Sequence, residues 1–244
     1  MKKSLIILTI SLLIGIIRLQ AQEYTGISGL IHVPSAEMNP TGTARIGTFF
    51  LNKEFLPDVM QYTQDGVQHK FHSFNHFLSI VPFSWIELAY TCTLLKGIKD
   101  GKPKYFMKDR YLSVKIRILK ERKYIPAIAI GTNDPYHIVS NDLPSYYQNF
   151  YAAATKHFDL HGHELGVHLA YRWYKETTNK KWQGIVGGIT YRPAFEKNLR
   201  GIVEYTGNDI NIGVDYYLWK LLFVQANLQN GKYFSGGIML QIQL

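Results

Sequence analysis

The sequence predicts an all-β fold, an antiparallel transmembrane β-barrel of about twelve strands (range about 10–14) behind a cleaved signal peptide. Three observations predict it. Most of the chain alternates apolar and polar residues with period 2, as a strand with two different faces does. The alternating segments are longer than the five or six residues usual in soluble proteins, and suit the nine to eleven that a tilted strand needs to cross a bilayer. Long and short connections also alternate along the first half of the chain, as they do between the two ends of a membrane barrel.

The N-terminus reads as a targeting segment. Lys2 and Lys3 precede an apolar stretch over residues 4–17, and Leu19-Gln20-Ala21 ends on a small residue. This is the pattern of a secretory signal peptide, with cleavage expected after Ala21, and it is short for a membrane-spanning helix. No cysteine lies near the expected cleavage point, which argues against lipidation; the lone Cys92 also excludes an internal disulfide framework and a Cys-rich zinc site. Cleavage would remove Lys2, Lys3 and Arg18 and no acids, lowering the formal charge from +9 to +6. A chain that is 46% hydrophobic and 14% aromatic is not disordered. Residues 22–42, rich in Gly and Pro, are expected to form a periplasmic cap or a lumen plug, and residues 43–244 the barrel.

Strands are expected at 43–53, 69–81, 84–95, 109–119, 124–132, 149–158, 163–174, 181–192, 199–206, 210–218, 220–229 and 232–244. In the third, Ile86, Leu88, Tyr90, Cys92 and Leu94 share one face, and Glu87, Ala89, Thr91 and Thr93 the other. In the fourth, Leu112, Val114, Ile116 and Ile118 oppose Ser113, Lys115 and Arg117. Residues 54–68, 96–108 and 133–148 are read as long connections, and 82–83, 120–123 and 159–162 as short turns. Aromatics at strand ends fit an interfacial girdle: Tyr90, Tyr124, Tyr151, Tyr171, Trp173, Trp182, Tyr191, Tyr205, Tyr216, Tyr217 and Trp219. A soluble sandwich or lipocalin-like barrel would show the same alternation with the apolar face turned inward. Twelve strands in one soluble barrel would be unusual, and the small, mixed polar faces suit a tightly packed lumen.

Three stretches carry a family resemblance. The first is Gly26-Ile-Ser-Gly29-Leu-Ile-His-Val-Pro34-Ser-Ala36-Glu, with Pro40-Thr-Gly42 and Gly47 after it. The second is Asp109-Arg-Tyr-Leu-Ser-Val-Lys115-Ile-Arg117-Ile-Leu-Lys-Glu121, then Pro126-Ala-Ile-Ala-Ile-Gly131. The third is Gly188-Ile-Thr-Tyr191-Arg-Pro193, then Glu204-Tyr205 and Asn211-Ile-Gly213. Their order and spacing resemble the YjbH-type family of outer-membrane β-barrel proteins associated with exopolysaccharide or capsule production, in a compact single-barrel version. The chain departs from the usual barrel ending, since Leu244 stands where such barrels carry an aromatic. The resemblance implies a role in polysaccharide export or surface association and no particular reaction.

Charged residues on the non-apolar faces are the candidate functional residues: Lys115, Arg117, His168, Arg172, Arg192, Arg200, Glu204 and Asp215. Facing lipid they would each cost about 2–4 kcal/mol at the midplane, so they are expected to line the lumen. There they serve either as an internal ion-pair network or as a selectivity lining, and their mixed signs favour the network. Gly26, Gly29, Pro34, Pro40 and Gly42 mark the plug motif. The nine histidines invite a metal reading, especially His157, His161, His163 and His168, or His69, His72 and His76, but no metal site is expected: His72 and His76 share a face while His69 opposes them, His161 and His163 fall in a turn, and most are read as surface or interface histidines. No nucleophile elbow, phosphate loop or paired-carboxylate motif is present. The expectation is a non-enzymatic outer-membrane barrel without a cofactor, linked to exopolysaccharide, capsule or cell-surface biogenesis. An anion-selective or small-solute channel is the first alternative, and an enzyme acting on lipid or glycan the second. Expected partners are outer-membrane lipid and lipopolysaccharide, with anionic polysaccharide or export-system proteins beside them. Nucleic acid is not expected, because the basic residues form no stripe.

Overall fold

A computed structural model describes residues 22–135, 146–174 and 180–244. The expected signal peptide, residues 1–21, lies outside the described residues. Among these residues the strands are β1 (Thr43–Leu51), β2 (Tyr62–Gln64), β3 (Val67–His69), β4 (Ser73–Phe83), β5 (Ile86–Lys99), β6 (Lys102–Leu119) and β7 (Ala127–Asn133). They continue with β8 (Asn149–Leu160), β9 (His163–Tyr174), β10 (Gly184–Arg192), β11 (Leu199–Tyr205), β12 (Ile210–Leu218), β13 (Leu222–Gln229) and β14 (Tyr233–Gln243). Twelve of the described strands, all but β2 and β3, form a closed antiparallel barrel. β1 closes it against β14, in register from Thr43↔Gln243 to Phe50↔Gly236, so no open sheet edge remains in the barrel.

The faces sort as the alternation requires of a membrane barrel. On β5, Glu87, Ala89, Thr91 and Thr93 are buried inside. Leu78, Leu169, Ile189, Ile212 and Ile238 point outward and stay 52–56% exposed. In water such a continuous apolar belt would be a large aggregation-prone patch; in hydrocarbon it is the solvated surface. Tyr90, Tyr171, Trp173, Tyr191, Tyr205 and Trp219 are exposed around it. Tyr151, Trp182 and Tyr217 depart from the girdle expected of them: at 0–2% exposure they point into the barrel, where buried aromatic rings pack.

Two connections also differ from expectation. Residues 96–108 are not a loop, because β5 and β6 continue as paired strands to Lys99↔Lys102. Residues 62–69 form the β2–β3 hairpin. Both turn on Asp-Gly, with positive φ at each central residue (Asp100 56°, Gly101 69°; Asp65 51°, Gly66 75°). That is the type I′ geometry whose twist matches paired strands.

At the long-loop end the lumen is closed by an aromatic cluster. Phe55, Leu56 and Met60, from the β1–β2 connection, pack with Tyr24, Tyr111, Tyr147, Tyr174 and Trp182. That end of the barrel is packed with side chains, and the buried segment before β1 runs inside the barrel.

Candidate functional site

Residues 22–39 are buried throughout, threaded through the lumen from the short-turn end. Their apolar side chains find an apolar stripe of the inner wall, Leu30, Ile31 and Val33 packing with Tyr151, Ala153, Ala170, Val186 and Ile202. The wall thins where they pass. A Cβ on Gly188 would lie 2.4 Å from the Leu30 side chain, and one on Gly213 2.8 Å from Ile31.

A non-helical segment inside a barrel has backbone groups that need partners, and leaving them unpaired is expensive. The inward charges supply those partners. Glu204 accepts the successive backbone N–H groups of Ile31 (3.0 Å), His32 (2.9 and 3.0 Å) and Val33 (3.1 Å), and the Asn211 side-chain amide (2.8 Å). Arg172 donates to the His32 carbonyl (3.1 Å) and to His32 Nδ1 (3.2 Å), and its Nε donates to the Trp182 carbonyl (2.8 Å). Burial, reinforced by Arg172 and Lys181, holds the His32 imidazole well below its usual pKa. A neutral ring leaves Nδ1 free to accept the Arg172 bond.

Arg200 is held by Asp215 (3.0 and 2.8 Å) and donates to the Gly29 carbonyl at 3.3 Å. Its other terminal nitrogen lies 3.5 Å from Glu37. Lys115 donates to the carbonyls of Ser28 (2.8 Å) and Glu37 (2.6 Å) and pairs with Glu87 at 3.1 Å. Glu87 also pairs with Arg45 and accepts the Ser28 N–H (2.9 Å) and hydroxyl (2.8 Å). Charge-assisted bonds of this kind are among the stronger hydrogen bonds in proteins.

The structure thus gathers Lys115, Arg172, Arg200, Glu204 and Asp215 around the threaded segment, all at most 1% exposed. His168 is buried nearer the short-turn end, between the hydroxyls of Thr155 (3.1 Å) and Thr190 (3.0 Å). Arg117 and Arg192 stand apart, partly exposed at the short-turn rim. Arg117 donates to the Ser84 carbonyl beside a β-bulge, and Arg192 lies 3.3 Å from Glu164.

The motif residues shape the segment. Gly26 has φ +86° and abuts the Phe77 ring, which a Cβ would meet at 3.0 Å. Gly29 and Pro34 face each other in an isolated β-bridge that closes the turn offered to Glu204. The Pro40 carbonyl accepts the Thr43 hydroxyl (2.7 Å). Gly42 donates to the Val81 carbonyl (2.8 Å) and accepts from the Leu244 N–H (2.9 Å), tying both ends of the barrel sequence together.

Sequence reasoning missed Arg45 and Glu37, placed Glu87 on the polar face without a role, and named His157 only among the histidines that invite a metal. Period 2 alone places Arg45 and Glu87 inward, but nothing local marks their pairing across β1, β4 and β5. Glu37 and His157 meet at the short-turn mouth, Glu37 Oε1 to His157 Nε2 at 3.1 Å, across 120 residues of sequence. A cavity of about 890 Å³ opens there, lined by residues 36–41, Arg117, residues 120–123, Lys156 and His157. At its edge Glu121 bonds His157 Nδ1 (2.7 Å) and Lys156 (2.7 Å). Burial raises the Glu121 carboxyl, but the bonds from Lys156 and His157 outweigh it and hold the group below its ordinary value.

A closed barrel with an outward apolar belt and a lumen filled by its own N-terminal segment is a plugged transmembrane β-barrel. The model of the YjbH family, described as exopolysaccharide biosynthesis protein YbjH, matches residues 21–208, and the chain belongs to that family. The matched stretch takes in the plug and the strands through β11. No curated protein shows significant similarity to the sequence. Among solved structures the chain is similar to Pseudomonas putida OprB in its low-pH structure, with TM-score 0.31 and 11% identity, covering 82% of this chain and 90% of that one.

Proposed function

We propose that this protein is a non-enzymatic outer-membrane component of exopolysaccharide or cell-surface biogenesis, closed to free diffusion by residues 22–42. The observation that carries the reading is the capture of the plug backbone by buried wall charges, above all the three successive N–H groups on Glu204. Charges engaged in this way hold a segment in place and are withdrawn from lining an aqueous path. Family membership supports the exopolysaccharide link. Export to the outer membrane rests on the signal-peptide pattern of residues 1–21 together with the barrel's apolar belt. Lipid and lipopolysaccharide surround the belt. Anionic polysaccharide or export-system proteins meet the mouth, where Arg117, Lys120, Arg122, Lys123 and Lys156 outnumber the acids. The non-enzymatic reading is supported by the engagement of Lys115, Arg172, Arg200 and Glu204 with plug backbone.

The test is single-channel recording of the refolded mature protein beside a variant lacking residues 22–42. Silence from the intact protein and steady conductance from the deletion are expected. Steady conductance from the intact protein overturns the closed-barrel reading. Unchanged exopolysaccharide yield and surface retention in a strain lacking the gene overturn the biological link.

A further inference from the structure

We propose that Glu37, His157 and His168 form a binding site for a divalent transition metal of the zinc type, built jointly by the plug and the barrel wall. The strand register makes the two histidines neighbours. Thr155 on β8 is paired with His168 on β9, so His157, two residues along the same inward face, sits on the diagonal beside it. The plug then brings Glu37 against them. One oxygen or nitrogen from each of the three side chains lies within 4.8 Å of the others, and Glu37 Oε1 is already 3.1 Å from His157 Nε2. A tetrahedral ion with bonds of about 2.0–2.1 Å needs ligand atoms about 3.3 Å apart, so small side-chain rotations complete the set. Two imidazoles and one carboxylate leave the fourth position for water, as in zinc sites that stay open to solvent.

Three further features point the same way. Glu121 bonds His157 Nδ1 at 2.7 Å, which fixes the ring with Nε2 turned toward Glu37. A carboxylate behind a histidine is the usual outer support of a metal-bound imidazole. His168 lies between the hydroxyls of Thr155 and Thr190, each of which can donate or accept and so can release a ring nitrogen to the ion. The mouth cavity, lined by Glu37 and His157, gives the ion a way in. Arg200 approaches Glu37 at 3.5 Å but is paired with Asp215, and Lys156 is paired with Glu121. His157 sets both ring nitrogens against carboxylates, Glu121 and Glu37, and so donates from both. A metal ion would take the place of the proton between Nε2 and Glu37. In chemical terms, the metal takes over the bridge between Glu37 and His157 and pins the plug to β8 and β9.

The test is titration of the tag-free, chelator-treated, refolded protein with Zn²⁺ by calorimetry, and with Co²⁺ by visible absorption. One equivalent of Zn²⁺ and a tetrahedral Co²⁺ spectrum are expected. Glu37→Gln and His168→Gln should each weaken binding at least 100-fold, and Glu121→Gln about 10- to 100-fold. His72→Gln, outside the site, should leave binding unchanged. Glu37 belongs to no strand, so its variant is expected to keep the barrel's heat-modifiable mobility and to separate lost ligation from lost folding. Absence of stoichiometric Zn²⁺ binding, or binding that Glu37→Gln and His168→Gln leave unaltered, overturns the proposal.

Discussion

Glu204 on β11 accepts the backbone N–H of His32 through both carboxylate oxygens, at 2.9 and 3.0 Å, and it also takes the N–H groups on either side. One wall residue therefore satisfies three consecutive donors of a segment with no strand partner of its own. Glu204→Ala is expected to leave those donors buried and unpaired, at a cost of about 1–3 kcal/mol each before relaxation. The barrel should survive while the plug loosens. Hydrogen exchange at residues 30–34 should rise at least tenfold with the strand amides unchanged; equal protection in both proteins would show that Glu204 does not hold the plug.

The Arg45–Glu87–Lys115 group makes a different prediction. Its members are fully buried at their side chains, with two cations on one carboxylate. Glu87→Gln leaves both cations without their counter-charge and is expected to destabilise the barrel by about 3–5 kcal/mol. Lys115→Met, which leaves the Arg45–Glu87 pair intact, should cost less. Urea unfolding in lipid vesicles measures both, and a Lys115→Met loss equal to that of Glu87→Gln would count against this charge balance.

Glu23, in the plug, supplies a pH dependence. Burial, with Arg172 opposing and Glu204 reinforcing, raises its carboxyl from 4.5 to about 8. The folded protein therefore holds a proton that the unfolded chain releases between those values, and stability falls as pH rises from about 4.5 to 8. Glu23→Gln is neutral throughout. It should match the parent near pH 4.5 and exceed it above pH 8, by on the order of a few kcal/mol. Unfolding midpoints at pH 5, 7 and 9 test this, and parallel curves for the two proteins would remove Glu23 as the cause.

Gly188 tests the close passage of plug and wall. A methyl group there would meet Leu30 at 2.4 Å and the Val203 carbonyl at 2.7 Å. Gly188→Ala is expected to destabilise by about 1–3 kcal/mol through overpacking. Leu30→Ala in the same chain should recover part of that loss, since it empties the space the new methyl needs. A double-mutant cycle with no coupling would mean the two positions do not press on each other.

Much of the barrel was legible in the sequence because a strand's two faces are written with period 2, and only a membrane tolerates so long an outward apolar face. Lys115, Arg172, Arg200, Glu204 and Asp215 announced themselves as inward by sharing faces with small residues. Asp65-Gly66 and Asp100-Gly101 were hairpin signals as well, passed over because both lie in stretches that read as long connections. Tyr217 shares the parity of the inward Asn211 and Asp215, a mark passed over in the girdle reading, whereas Tyr151 and Trp182 carried no mark so clear. Their direction depends on space in the lumen, as at Gly131, where an added Cβ would lie 2.2 Å from the Tyr151 ring.

By itself, then, the sequence determined the fold class, the face each strand turns to lipid, and the set of charges that cannot face it. Local periodicity and the cost of a charge in hydrocarbon are enough for that. Only the tertiary structure decided what those charges hold, that residues 22–39 run inside the barrel, and that Glu37 meets His157 and His168. These depend on barrel closure and on the register between neighbouring strands, which bring together residues more than a hundred positions apart and which no local pattern encodes.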